Sequence, residues 1–436
     1  MVHCATMKTL IKNVLIIPMT DRNLSLQGDL GIDGSRIAFV GTPRTPFTAD
    51  SVIDGTGMIA MPSLVNAHTH LCMELMRNYK DTCANLQDWL GEIFPIEDKL
   101  TASDIRVVST LGIAELIKSG TTTFADMYFF AHETAQAVLD AGIRACLGLT
   151  LFGGIEDTKQ RIAERLPAME AVANQADGRI RIDIAPHAIY TCSADTYRYA
   201  HDYAKANGVA MHTHLSETRQ EVEDSLRNNG KTPCSYLDSL GCFDGIKTYL
   251  AHCVHLTDDE IASLVRHDAG VVHNPTSNCK LASGIAPVAK MREAGLKLAL
   301  GTDGASSNNN LNLFEEMHVA SLLSTVSTGD TLSLPPYDAM RMATIGGAEV
   351  LGLDSAIGTL EQGKEADLIL VETRKSHLTP LNNPFSALVF AAQASDVDTV
   401  FCKGKLLMQG RKLTTVDEAE AMRTTNACWK DILARP

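Results

Sequence analysis

The sequence predicts an α/β protein: a (β/α)8 barrel over residues 59–355, beside a small β-sandwich built from residues 1–58 and 356–436 with a C-terminal helix. Three observations predict it. Eight short β-like runs alternate with longer amphipathic stretches between residues 59 and 304. Histidines gather at the C-terminal ends of these runs, the face on which barrels of this kind carry their chemistry. Both chain ends instead read as short apolar runs broken by turns, and neither alone has enough strands to bury a sheet face.

In chain order, residues 8–58 turn at Asp33-Gly34 and Asp54-Gly55. The first barrel run is Ile59–Asn66, and Thr101-Ala-Ser-Asp104 then opens a helix in capping-box fashion that closes at Gly120. Runs two to four are Thr121–Met127, Arg144–Phe152 and Ile180–Ala188, followed by a helix from Ser193 to Gly208. Val209–Leu215 and Lys247–Leu256 come next, and Thr257-Asp-Asp-Glu260 caps a helix running to Gly270. Gly270–Ser277, a helix from Ala286 to Gly295, and Lys297–Gly304 complete the eight. Residues 356–412 return to short apolar runs around Gly358, Gly363-Lys364 and Lys403-Gly404-Lys405. An open doubly wound sheet is the rival fold, but no G-x-G-x-x-G follows an early strand.

Composition narrows the function. The 436 residues carry 38 Lys+Arg against 52 Asp+Glu, a net −14 that disfavours binding a nucleic-acid polymer. Aromatics at 5% offer few stacking platforms for single strands. Nothing approaches the roughly 18 apolar residues of a membrane span, and Lys12-Asn13 interrupts the apolar stretch Leu10–Met19. Eleven cysteines, from Cys4 to Cys428 with no C-x-x-C pair, fit neither a disulfide framework nor a zinc ribbon. A reducing, cytoplasmic setting is expected, with a small-molecule substrate and assembly as a homo-oligomer.

Of fourteen histidines, eight (His68, His70, His187, His212, His214, His252, His255, His273) fall near the ends of five predicted strands. In His68-Thr-His70 the two imidazoles share one strand face, and His212-Thr-His214 repeats the spacing. Spacing alone cannot choose between His212 and His214. The last strand is apolar until Asp303, where an unpaired carboxylate is costly to bury. Three imidazoles and a carboxylate suit one divalent ion, zinc first and iron second. Glu217 and His252 stand nearby in sequence terms as candidate proton carriers.

Val65-Asn-Ala-His-Thr-His70, Met211-His-Thr-His-Leu-Ser-Glu217, Ala251-His-Cys-Val-His255 and Gly301-Thr-Asp-Gly304 together resemble the amidohydrolase superfamily. Trp89-Leu90, Pro95-Ile-Glu-Asp98, His273-Asn-Pro, Ser277-Asn-Cys-Lys-Leu and Ser306-Ser-Asn-Asn-Asn-Leu-Asn-Leu-Phe314 make the chain most similar to the 5-methylthioadenosine/S-adenosylhomocysteine deaminases. The resemblance implies one metal held by His68, His70, His214 and Asp303. It implies that Glu217 protonates the ring nitrogen beside the amino-bearing carbon, while His252 and Asp303 orient the attacking water and carry its proton to the departing ammonia. It also implies that His187 touches the purine, Glu97 accepts ribose hydroxyls and Trp89 lines a lid.

Two positions depart from that pattern: Ser63 replaces a usual glycine, and Leu149 replaces an arginine that helps hold substrate. The second departure favours neutral nucleosides (methylthioadenosine, 5′-deoxyadenosine, adenosine) over S-adenosylhomocysteine with its charged tail. Deamination of another amino-substituted ring, such as guanine, cytosine, a pterin or an s-triazine, is the alternative activity. A non-catalytic scaffold is disfavoured because every ligand position is filled. A lysine-bridged binuclear centre is disfavoured because the fourth strand ends Ile184-Ala-Pro-His187.

Overall fold

The computed structural model describes residues 7–83 and 86–436; Cys4 lies outside them. One sheet is the barrel. Its strands run parallel in the order Leu64–His70, Thr121–Tyr128, Arg144–Leu151, Ile180–Pro186, Met211–Leu215, Thr248–His252, Gly270–His273 and Lys297–Leu300. The eighth strand closes the ring in two steps. Lys297–Leu300 pairs with the seventh strand, and after a break at Gly301-Thr302 the short piece Asp303–Gly304 pairs with the first.

Gly301 is required at that break. A Cβ there would sit 2.4 Å from Asn274 Oδ1 and 2.9 Å from the His68 carbonyl oxygen.

The second sheet is mixed and draws strands from both chain ends. Its order is Lys412–Leu413, Lys405–Gln409, Val397–Cys402, Leu368–Glu372, Met58–Pro62, Lys8–Ile16, Leu26–Asp33 and Arg36–Gly41, with Ser51–Asp54 also against Lys8–Ile16. The predicted run Ile59–Asn66 is therefore two strands. Met58–Pro62 pairs antiparallel with Leu368–Glu372, and Leu64–His70 opens the barrel. Ser63 lies at the division, its hydroxyl 2.5 Å from Thr122 Oγ1.

Strand alternation explains how the two sheets join. Ile59, Met61, Ile369 and Val371 belong to the large core shared with the barrel. Their neighbours Ala60, Leu368 and Leu370 face a separate core with Ile11, Val14, Ile16, Leu30 and Phe401. Buried Arg144, at the start of the third barrel strand, adds a polar tie to Asp367 at 3.1 Å and Glu365 at 2.5 Å.

The helices follow their caps. Ala102–Lys118 begins after Thr101, whose N–H is taken by Asp104 Oδ2 at 2.8 Å. Ala194–Asn207 is capped by Ser193 and ends at Gly208 with φ 66°. Asp258–Arg266 has the expected Thr257/Glu260 box but stops short of Gly270, which begins the seventh strand. The expected Ala286–Gly295 helix is only Val288–Glu293. No helix among the described residues is long and apolar enough to cross a membrane.

Candidate metal centre and active site

Every barrel strand runs parallel, so the strand ends named above open on one face, and there the polar residues converge. His68 and His70 close the first strand, His214 the fifth and His252 the sixth, while Asp303 follows the break in the eighth with φ 61°. His70 Nε2 lies 3.2 Å from His214 Nε2, and Asp303 Oδ1 lies 3.3 Å from His68 Nε2 and 3.2 Å from His70 Nε2. One ligand atom from each of His68, His70 and His214 falls within 4.8 Å of the others, as does one from each of His68, His252 and Asp303.

The tautomers follow from the partners. His70 Nδ1 lies 2.6 Å from the Met127 carbonyl and His214 Nδ1 lies 2.8 Å from the His187 carbonyl. A carbonyl only accepts, so both Nδ1 atoms carry hydrogen, and in the neutral rings both Nε2 atoms present lone pairs to each other. His68 Nε2 is buried with no hydrogen-bond partner. Lone pairs this close repel unless a positive charge lies among them, so the donor set fits a divalent cation. The electrostatics show the same demand for positive charge: burial alone would lower the His70 pKa, yet without an ion the Asp303 carboxylate lifts it to about 9, so a proton takes the place of the cation. Burial depresses His68 to about 4 and holds His214 well below the ordinary histidine range.

His212, the other member of its pair, turns away from this cluster. Its Nε2 lies 3.0 Å from His68 Nδ1 and its ring stacks on Tyr249 at 4.1 Å. Asp303 Oδ2 accepts from Ser277 Oγ at 2.6 Å and Ser307 Oγ at 2.9 Å, which leaves Oδ1 for the histidines. His252 Nδ1 donates to Asn278 Oδ1 at 2.9 Å and so aims Nε2 toward Glu217, 3.8 Å away. Glu217 precedes the helix Arg219–Asn229 and lies in the loop before it, where burial raises its pKa. Glu221 holds that loop by accepting the Glu217 N–H at 2.7 Å.

A cavity leads outward from the cluster. Trp89, Leu90, Phe94, Phe129, Phe152 and Leu281 give it apolar walls, and Glu97, Tyr128, Thr150 and His187 supply polar groups. Glu97 is 8% exposed, and burial raises its pKa to about 7 although Tyr128 donates to its Oε1 at 2.7 Å. Trp89 Nε1 is buried without a partner in the same wall. His187 lies between His214 and Phe152, with ring centroids 4.7 Å and 4.8 Å away.

Leu149 alters the substrate argument. Its side chain packs in the shared core outside the barrel, and Thr150 is the residue of this strand that lines the cavity. The loss of arginine at 149 therefore does not describe the cavity wall as it stands. Arg161 does approach it, with its guanidinium 5.6 Å from the centre of the Phe152 ring. An acidic substrate tail is thus less disfavoured than position 149 alone implies.

Sequence reasoning assigned no role to Tyr128, Phe129, Phe152, Glu221 or Ser307. The polar runs Ser277-Asn278 and Ser306–Asn310 were the available signal for the groups around Asp303. The aromatic walls come from the helix Leu86–Glu97 and the ends of two barrel strands and had no common signal.

The amidohydrolase family matches residues 59–407. The chain is 43% identical over 433 residues to a 5-methylthioadenosine/S-adenosylhomocysteine deaminase of Thermoanaerobacter pseudethanolicus, covering 98% of this chain and all of that one. It is 42% identical to a 5′-deoxyadenosine deaminase of Methanothermobacter thermautotrophicus, over 92% of this chain and 94% of the relative. Among solved structures, an adenosine deaminase from Xanthomonas campestris with bound zinc superposes with a TM-score of 0.93 at 31% identity, covering 99% of both chains. Likeness of this extent, running through the barrel and into the strands from both ends, has one explanation: the chain belongs to the amidohydrolase family.

Proposed function

We propose that this protein is a hydrolase that removes the 6-amino group of an adenosine-type nucleoside, yielding the 6-oxo nucleoside and ammonia. Candidate substrates are 5′-methylthioadenosine, 5′-deoxyadenosine and adenosine, with S-adenosylhomocysteine as a fourth. His68, His70, His214 and Asp303 would hold one divalent ion, zinc before iron. Bound there, such an ion supplies Lewis acidity that makes water nucleophilic near neutral pH.

The chain's own residues carry the rest. Glu217, whose carboxyl pKa burial pushes upward, donates to the ring nitrogen beside the amino-bearing carbon as the ring loses aromaticity. His252, with Nδ1 committed to Asn278, uses Nε2 to orient the attacking water. Asp303 Oδ1 takes one proton of the water and passes it to the departing amine. The other, released from the new hydroxyl as the C–N bond breaks and the C=O forms, restores Glu217, so water and substrate leave as the 6-oxo product and ammonia. His187 and Phe152 flank the purine, and the apolar walls with Trp89 exclude bulk water.

The observation that carries the nucleoside reading is Glu97. Its carboxylate lines the same largely apolar cavity as the metal cluster, with Oε1 held by Tyr128, and is suited to accept two ribose hydroxyls. A free base or a triazine would leave that acceptor unpaired. The names of the near-full-length relatives support the same substrate class. We further read residues 59–355 as the catalytic domain and both chain ends as its companion, with Met58–Pro62 at the border lent to the companion sheet. The ten described cysteines are all free, which supports a reducing cytoplasm.

Ammonia release across adenosines, free bases, pterins and triazines tests the reading. Turnover of adenosines is expected; robust turnover of free bases or triazines with none of any adenosine would overturn it.

A further inference from the structure

Glu316 lies in the helix Leu313–Thr328, is fully buried and does not line the cavity. Its Oε2 accepts the Thr276 N–H at 3.1 Å, and its Oε1 accepts from Asn308 Nδ2 at 2.7 Å. These partners belong to two different short helices, Pro275–Lys280 and Ala305–Asn308. Asn308 Nδ2 also donates to the Thr302 carbonyl at 2.8 Å, next to Asp303.

The two short helices carry the groups that aim the proton carriers. Ser277 and Ser307, one from each, donate to Asp303 Oδ2, and Asn278 accepts from His252 Nδ1. Thr276 immediately precedes Ser277 and Asn278, and Asn308 immediately follows Ser307. A single carboxylate thus joins both supports. Both of these bonds come from neutral N–H donors, an expensive use of a buried carboxyl if packing were the only purpose. Burial accordingly lifts its pKa to about 8.

We propose that Glu316 is a positioning residue: by tying Thr276 to Asn308 it sets Asp303 Oδ1 and His252 Nε2 in register for proton transfer. The inference rests on the deaminase reading for what those two groups do. A carboxyl group is suited to this because each oxygen keeps an acceptor lone pair, one toward each support, even when the group carries the proton that burial favours. Glutamine has the same shape but only one acceptor oxygen, so one of the two ties must fail.

The test compares wild type with Glu316→Gln, Asn308→Ala and the double variant, on whichever panel substrate wild type turns over. In Glu316→Gln, kcat is expected to fall about tenfold or more, the scale seen for residues that orient metal-site groups. KM should stay within about threefold, because substrate contacts are untouched. Asn308→Ala should lose a similar factor, and the double variant should be no worse than the poorer single one, since both cut one path. Amide hydrogen exchange across residues 275–280 should quicken in Glu316→Gln, a readout independent of turnover. A cooperatively folded Glu316→Gln enzyme with wild-type kcat would overturn the proposal. So would additive losses, a rise in KM alone, or unchanged exchange. Absence of adenosine turnover in wild type would instead overturn the nucleoside reading, leaving Glu316 to be judged on the accepted ring and on exchange.

Discussion

Glu217 and Glu97 are both buried carboxylates with raised pKa values, yet they face different chemistry. Glu217 is close to His252, where a proton donor serves; Glu97 is held by Tyr128 in the cavity wall, where an acceptor serves. Glu217→Gln is expected to lower kcat by about 100- to 10,000-fold, the usual worth of a general acid, with one metal per chain retained by elemental analysis. Full activity in that variant would remove the proton-transfer assignment.

For Glu97 the accepting form is the carboxylate, present above about pH 7. KM for nucleosides should therefore rise as pH falls below about 7 while kcat changes less, and Glu97→Gln should show a high KM without that dependence. Stability has the opposite sign. A carboxyl whose folded pKa is raised binds more protons in the folded state between its unfolded pKa and about 7, so the fold loses stability as pH rises through that window. Glu97→Gln should raise Tm at pH 8 by calorimetry; an unchanged or lower Tm would show that burial there costs nothing.

At the scale of elements, the eighth strand is decisive because it closes the barrel and delivers Asp303 in the same step. Gly301 permits both, since any side chain would meet Asn274 and the first strand at His68. Gly301→Ala should cost about 1–3 kcal/mol by overpacking and lower kcat as well, because His68 or Asn274 must move. Chemical denaturation with parallel kinetics checks it. A stable, fully active variant would mean the break in the strand is slack.

The first strand shows what was not legible. Ile59–Asn66 reads as one apolar run, and both halves are indeed strands. Hydrogen-bond partners divide it: Met58–Pro62 joins Leu368, more than 300 residues away, whereas Leu64–His70 joins Thr121. Pro62-Ser63 is the local mark of that division, but an apolar run buried on nearly every residue hides it. Capped helices were easier, since Thr101, Ser193 and Thr257 carry their partners within a few residues.

For the whole molecule, the metal is expected to hold together a cluster of facing lone pairs. Dialysis against a chelator should abolish turnover, zinc should restore it, and Tm should fall because the ion binds the folded state alone. Activity that survives verified removal would contradict the metal reading.

By itself the sequence determined the eightfold cadence of the barrel, the companion sheet from both ends, and the histidines and Asp303 at one face. Those are local facts, written in periodicity, caps and the cost of burying polar groups. Spacing left His212 and His214 equal and the resemblance chose His214, which the structure brings to the cluster; only the tertiary structure decided that Leu149 faces the core and that Glu316 bonds two short helices at once. Each of these depends on which way a side chain points across elements far apart in sequence. A one-residue change of face along a strand reverses that direction without altering the pattern that names the strand.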